Sequence, residues 1–301
     1  MKNEVLPEDK KYPKLLKDAL GKLPQKSLEA KKLYYKGAYD EEIFQNCLAV
    51  VGTRHLTTYG RRTTEQLVSQ LAMAGITIVS GFMYGGDEAA HKATVQVGGR
   101  TIAVMPCGID RIHPEYQADL YNEILKNNGL IISEYPANDQ PQQFTYIQRD
   151  RLVAGLAKAV LVVEAGLNSG TLITASYANK FGRKIFAVPG PITSEVSKGT
   201  SKLIKEGAEV VTCAQDILNF FKVSGPRKDF NKQSAPAFAK ATADKSDGLE
   251  RKIIDFLNRE SADADTISRE LAIPASKLGT TLTLMEMRGI INQDSGKYYI
   301  N

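Results

Sequence analysis

The chain holds no tryptophan, and only three histidines and three cysteines among its 301 residues. Cys47, Cys107 and Cys213 stand far apart and form no CxxC pair, which argues against a disulfide framework or a cysteine zinc site and points to a reducing compartment. His55, His91 and His113 make no HExxH, and no paired-cysteine metal spacing occurs, so no metal or other cofactor is expected. GxxxxGK[ST] and GxGxxG are both absent, which removes P-loop hydrolysis and the standard dinucleotide fingerprint. No apolar stretch approaches the ~20 residues of a membrane-spanning helix. The Lys-rich start carries no apolar run either, so no signal peptide is expected and the protein reads as cytoplasmic, with no membrane partner.

What is present fits a globular protein. Hydrophobic residues make up 43%, enough for a sizeable core, and charged residues 24% with a formal net charge of +5. That mild excess of positive charge suits a polyanionic partner without requiring one.

Four segments follow from the texture. Residues 1–47 are a polar lead-in with Lys-rich helical patches, punctuated by Pro7, Pro13 and Pro24. From 48 to 222, short aliphatic runs alternate with amphipathic stretches, the pattern of an α/β parallel sheet. The expected strands are Leu48–Val51, Ile76–Val79, Thr101–Met105, Leu130–Ile132, Val160–Val163, Ile185–Val188 and Glu209–Val211. Helices are expected at Tyr59–Ala74, Asp87–Gly98, Tyr116–Asn127, Arg149–Ala157, Thr171–Phe181, Ser201–Glu206 and Ala214–Phe221. Residues 223–246 lack periodicity and read as a linker. Residues 247–301 give helix, helix–turn–helix and a hairpin around Asp294-Ser295-Gly296, which together make a winged helix.

Ligands of open parallel sheets bind beyond the carboxyl ends of the strands. Those ends read Gly52-Thr53-Arg54, Ser80-Gly81, Pro106-Cys107-Gly108, Ser133-Glu134, Glu164 through Asn168-Ser169-Gly170-Thr171, and Pro189-Gly190-Pro191. Glycine permits close backbone approach, and amides at a helix N-terminus bind phosphates. The Ser169-Gly170-Thr171 turn is the best candidate cradle, although an ordinary N-cap has the same composition. Arg54 could clamp a phosphate or pair with a neighbouring carboxylate. Arg149 and Arg151 open a predicted helix, where cations oppose the helix dipole, so an anionic partner would account for them. Phe144 and Tyr146 stand just upstream, and cations interleaved with aromatics suit phosphate contact with base stacking, while one of the two could be core. Asp87 and His91 sit four apart on one helix face; an acid–base pair is conceivable, but a cap and a packed histidine read better. His55 and His113 show no evident partner. No catalytic machinery can be assembled, so no enzyme is expected.

These residues resemble the DprA/Smf family of DNA-processing proteins. The likeness runs through LAVVGTR (48–54), TIVSGFMYGGDEAAH (77–91), TIAVMPCGID (101–110), IISEYP (131–136), RDRLVAGLAKAVLVVEA (149–165), SGTLITASYA (169–178), KIFAVPGPI (184–192) and KGTSKLIKEGAEVV (198–211), in order and with family-like spacing. It implies an extended Rossmann-like domain followed by a C-terminal winged helix. It further implies sequence-independent binding of single-stranded DNA, a homodimer, and loading of the RecA recombinase as in natural transformation. By matching position, the resemblance assigns DNA or phosphate contact to Arg54, Arg149, Arg151, Ser169, Gly170 and Thr171, and base stacking to Tyr146. Gly52, Thr53, Ser80 and Gly81 complete the expected site. Three departures stand out: Gly85-Gly86-Asp87 for the usual Gly-Ile-Asp, Asp150 for the Asn of Arg-Asn-Arg, and Gln143 where some members carry a lysine. The winged helix holds seven basic against eight acidic side chains, so it reads as a protein-interaction or weak accessory DNA element. The competing reading is a nucleotide-processing, phosphoribohydrolase-like enzyme or a nucleotide sensor using the same cradle. Its usual Pro-Gly-Gly…Gly-Thr…Glu motif is not complete here.

Overall fold

The computed structural model describes residues 3–25, 28–223, 248–258, 260–287, 290–294 and 296–300. Two compact units fall within Met1–Ser234 and Ala235–Asn301. Apart from Val223, the segment expected as a linker lies outside the described residues.

The first unit is built on one nine-stranded sheet. Its strands are β1 (Glu4–Val5), β2 (Leu33–Gly37), β3 (Cys47–Val51), β4 (Thr77–Ser80), β5 (Thr101–Val104), β6 (Leu130–Ser133), β7 (Ala159–Val162), β8 (Lys184–Ala187) and β9 (Glu209–Val210). In space they run β1-β2-β6-β5-β4-β3-β7-β8-β9. The pairs from β6 to β9 are all parallel, as the aliphatic runs predict. The sheet is nonetheless mixed: β2 pairs antiparallel with β6, and β1 with β2. The lead-in segment is therefore part of the sheet, and it adds α1 (Lys14–Leu20), whose Leu16, Ala19 and Leu20 are buried.

The remaining helices are α2 (Thr58–Met73), α3 (Gly86–Gln96), α4 (Ala118–Lys126), α5 (Gln143–Leu156), α6 (Thr171–Lys180), α7 (Lys198–Lys205) and α8 (Ala214–Phe221). Strand alternation sorts the core into layers. Cys47, Ala49 and Val51 pack with side chains of α1, α5 and α6, whereas Leu48 and Val50 pack with α2, α3 and α8. A sheet covered on both faces needs strands that are apolar throughout, and β3, β4, β5, β6 and β7 are buried at every position. Each fully buried Leu, Ile or Val contributes about 1.5–3 kcal/mol of transfer free energy.

One helix starts earlier than the sequence pattern predicts. α5 begins at Gln143, six residues before the expected Arg149, with the Gln142 amide donating to Thr145 Oγ1 at 3.0 Å. Arg149 and Arg151 thus sit inside the helix, and the dipole argument for an anionic partner does not apply to them.

The second unit holds α9 (Gly248–Leu257), α10 (Ala264–Glu270), α11 (Ala275–Met287) and the antiparallel pair β10 (Ile291–Asp294) and β11 (Lys297–Ile300). Asp263 caps α10 by accepting from the Thr266 amide at 2.8 Å. Ile253, Leu257, Ile267, Leu278, Leu282, Met285 and Ile291 form its core, which is the expected winged-helix arrangement.

Candidate nucleic-acid interface

The chain steps outward from β3 through β4, β5 and β6, then returns to β7 on the other side of β3. Strand order reverses between β3 and β7, and their carboxyl ends open a cleft of about 1050 Å³. Arg54, Tyr146, Arg149 and the whole Ser169–Thr171 turn line this one cleft, as do Gly52, Thr53 and Gly81.

Backbone contacts hold the walls. The Thr53 amide donates to Glu164 O at 2.8 Å, and the Gly86 amide donates to Thr53 O at 3.1 Å. Gly85 has φ +81°, and a Cβ there would lie 2.7 Å from Arg54 Cα. A Cβ on Gly86 would lie 2.5 Å from Gly52 Cα. Both glycines are thus required for the β4–α3 loop to lie on the β3–α2 loop, and that contact carries Tyr84 to Arg54.

Arg54 is exposed at the cleft mouth. Its guanidinium stands 5.4 Å from the Tyr84 ring centroid and 5.5 Å from that of Tyr146. Each such contact contributes about 0.5–1 kcal/mol at an exposed site. Tyr146 Oη in turn lies 2.8 Å from His113 Nε2. Phe144 and Ile147, at the start of α5, and Leu167 across the cleft are all exposed.

The floor is different. Arg149 is buried and donates from Nη1 to Gly81 O and to Val104 O, the latter at 3.0 Å, while its Nε lies 3.1 Å from Asp150 Oδ1. Asp87 also lines the floor and accepts from the Met83 amide at 3.3 Å. Burial pushes the Asp150 carboxyl up to about 7 against the pull of Arg149, with Asp87 adding to the rise. Burial raises Asp87 too, against the lowering effect of the Arg149 guanidinium. The floor's one guanidinium faces two carboxyls and is hydrogen-bonded within the protein. The exposed cation is at the mouth.

The Ser169–Thr171 turn is less of an amide cradle than its sequence suggests. The Thr171 amide donates to Ser169 Oγ at 3.2 Å, and the Leu172 and Ile173 amides donate to Ser169 O and Gly170 O. What the turn offers the cleft is two hydroxyls, with Ser169 Oγ donating to Thr171 Oγ1 at 3.0 Å. Gly170 faces open space, since a Cβ there would meet nothing within 4 Å.

Two expected site residues lie elsewhere. Arg151 is fully buried away from the cleft; its Nη2 donates to both Glu134 carboxylate oxygens and its Nε to Leu28 O. Ser80 is buried and donates to Val50 O at 2.6 Å. Asp87 sits in the first turn of α3 rather than at its cap, which is Gly85. His91 is buried, its Nδ1 2.7 Å from Thr101 Oγ1, and desolvation lowers it to about 3. Burial therefore keeps it neutral, and no acid–base pair with Asp87 is formed. The sequence reading also left out Tyr84 and the partnership of His113, and it named Glu164 at a strand end without giving it a role. Glu164 accepts from the Thr57 amide and hydroxyl at 2.9 and 2.6 Å, holding the start of α2. An aromatic within the Met83-Tyr84-Gly85-Gly86 loop was the available signal for Tyr84. Among the described residues no cluster of His, Cys, Asp and Glu is arranged to hold a metal ion, and no helix is long and apolar enough to cross a membrane.

Comparison with known proteins agrees with this architecture. The family described as DNA recombination-mediator protein A matches residues 3–222, and the DprA winged helix domain matches residues 236–297. A curated relative, the putative DNA processing protein DprA of Mycobacterium tuberculosis, is 36% identical over 262 residues, covering 86% of this chain and 66% of its own length. The X-ray structure of DNA processing protein A from Streptococcus pneumoniae superposes with a TM-score of 0.66 at 36% identity, over 72% of this chain and 74% of that one. A structure of DNA processing protein A from Helicobacter pylori, described for its single-stranded DNA binding mode, gives a TM-score of 0.62 at 31% identity, over 74% of this chain and 98% of that one. The chain spans about half to two thirds of the length of the curated relatives it matches.

Proposed function

The chain belongs to the DNA recombination-mediator protein A family, and from that premise we propose that the mouth of its cleft binds single-stranded DNA without regard to sequence. The observation that carries this is the position of Arg54, exposed and flanked by the rings of Tyr84 and Tyr146. A fixed cation beside two aromatic faces suits a strand whose phosphates need a positive charge and whose unpaired bases need stacking surfaces. Exposed Ile147 and Leu167, which line the cleft, extend that apolar rim. A duplex keeps its bases stacked inside and has no use for such faces.

Gly52, Thr53 and Gly81 act in this reading by bringing the loops close, and Ser169, Gly170 and Thr171 by offering hydroxyls and open backbone to a phosphate. Arg149 serves as a brace for the floor. The wider role proposed is that of a cytoplasmic, non-enzymatic recombination mediator, acting as a homodimer that shields single strands and loads RecA, as in natural transformation. The winged helix, with its slight acidic excess, serves a protein contact or an accessory DNA contact. Against a nucleotide-processing enzyme stands the missing glutamate of its motif: the helix that follows Ser169-Gly170 reads TLITASYANK.

The test is direct. A labelled oligonucleotide should bind at low salt and lose affinity steeply as salt rises, because bound phosphates release counterions. RecA filaments should then assemble faster on strands carrying the protein. Failure to bind at low salt would overturn the reading.

A further inference from the structure

Four separate elements meet at the mouth of the cleft. Arg54 comes from the end of β3, Tyr84 from the β4–α3 loop, Tyr146 from the first turns of α5, and His113 from the segment between β5 and α4. The His113 and Tyr146 rings stand edge to face, with centroids 6.1 Å apart and planes 60° apart. Their polar atoms meet at 2.8 Å, a good hydrogen-bond distance whichever partner donates.

Tyr146 is half-buried, and its ring both lines the cleft and backs the Arg54 guanidinium. A ring in that position turns about its last two torsions unless its far end is tied, and the cost of holding it still is then borne by the ligand. We propose that His113 is a positioning residue: by holding the Tyr146 hydroxyl it fixes the ring beside Arg54 as a platform on which a nucleobase stacks. Arg54 takes the phosphate of the nucleotide whose base lies on Tyr146, and the hydrogen bond sets the angle between the two contacts. This rests on the single-strand reading above and adds to it a residue with no contact to the strand.

The experiment compares His113→Leu, His113→Gln, Tyr146→Phe and the double variant His113→Leu/Tyr146→Phe in the full chain. Affinity is measured for an oligothymidylate and for a backbone of equal length made of abasic residues. His113→Leu should weaken oligothymidylate binding about fivefold to tenfold, a part of one stacking contact. Tyr146→Phe should lose the same factor, and the double variant no more than either, since both break one bond. His113→Gln, which keeps a polar group within reach, should restore most of the affinity. The abasic backbone should bind all variants equally. If the parent binds oligothymidylate but His113→Leu stays within about twofold of it, the inference is wrong. It is also wrong if the loss is equal on the abasic backbone, or if His113→Gln behaves as His113→Leu, because a general loosening of the loop would do both. A parent chain that binds no strand overturns the underlying reading instead.

Discussion

Arg151 and Glu134 form a buried pair in which one guanidinium nitrogen lies 2.8 Å from each of the two carboxylate oxygens. Neither side chain reaches solvent, with relative exposures of 0% and 2%. Two arginines separated by a single residue thus do opposite jobs: Arg149 braces the cleft floor, and Arg151 ties α5 to the end of β6.

Arg151→Leu should therefore damage stability and leave binding alone. Removing the cation strands a buried carboxylate, and such losses run to about 3–5 kcal/mol. Urea unfolding should show the deficit, while the folded fraction titrates an oligonucleotide as the parent does. Loss of affinity in the folded variant would return Arg151 to the interface.

Asp150 makes the pH dependence specific. In the folded chain its carboxyl holds a proton up to about 7, and in the unfolded chain only up to the ordinary carboxylate range. Between those limits the folded state binds the extra proton, so this group's contribution to stability falls as pH rises towards 7 and is level beyond it. Asp150→Asn should flatten that slope and make the protein more stable than the parent at about pH 8. By removing a negative charge from the floor it should also strengthen oligonucleotide binding there, with a smaller gain at about pH 6. Parallel pH profiles for the two proteins would contradict this.

Gly81 has no room for a side chain, because a Cβ would run into the Arg149 guanidinium. Gly81→Ala should cost about 1–3 kcal/mol, as overpacking does, and displace Arg149 from Val104 O. Thermal unfolding reads the first effect. A weakened oligonucleotide titration reads the second, since Arg149 then no longer holds the floor under Tyr146 and Arg54.

The parallel strands were legible because a sheet covered on both faces writes itself as aliphatic runs, and those runs match β3 to β8 within a residue or two. β2 was not. Its LYYKG pairs antiparallel beside a two-residue edge strand, and Tyr34, Tyr35 and Lys36 are only half-buried, so no apolar run marks it. The start of α5 was hidden by the polar stretch 138–143; that error supplied the dipole argument for Arg149 and Arg151, and the family resemblance added to it. Residues 149 and 151 of one helix point roughly 200° apart. That separation already held in the expected helix Arg149–Ala157, so helix geometry allowed only one of the two to face a ligand. The convergence of Arg54 with the Ser169–Thr171 turn followed from strand-end chemistry, because the ends of neighbouring parallel strands meet at the reversal of strand order. Tyr84 showed only as an aromatic in a glycine-rich loop, and the partnership of His113 was out of reach, since it depends on how loops fold over one another.

On the proposed single-strand reading, the anchoring contact is Arg54. Arg54→Ala should weaken binding by a similar factor for every base composition, and the slope of log affinity against log salt should become shallower by about 0.7. A loss confined to particular sequences would point to base readout instead.

The most direct measurement is a salt titration of the parent chain against a single strand, the matching duplex and a mononucleotide side by side. A cleft mouth built for an unpaired chain should bind the single strand most tightly, with a steep salt dependence, the duplex weakly, and the mononucleotide barely at all. A mononucleotide that binds as tightly as the strand, with little effect of salt, would contradict it and make the cleft a nucleotide pocket.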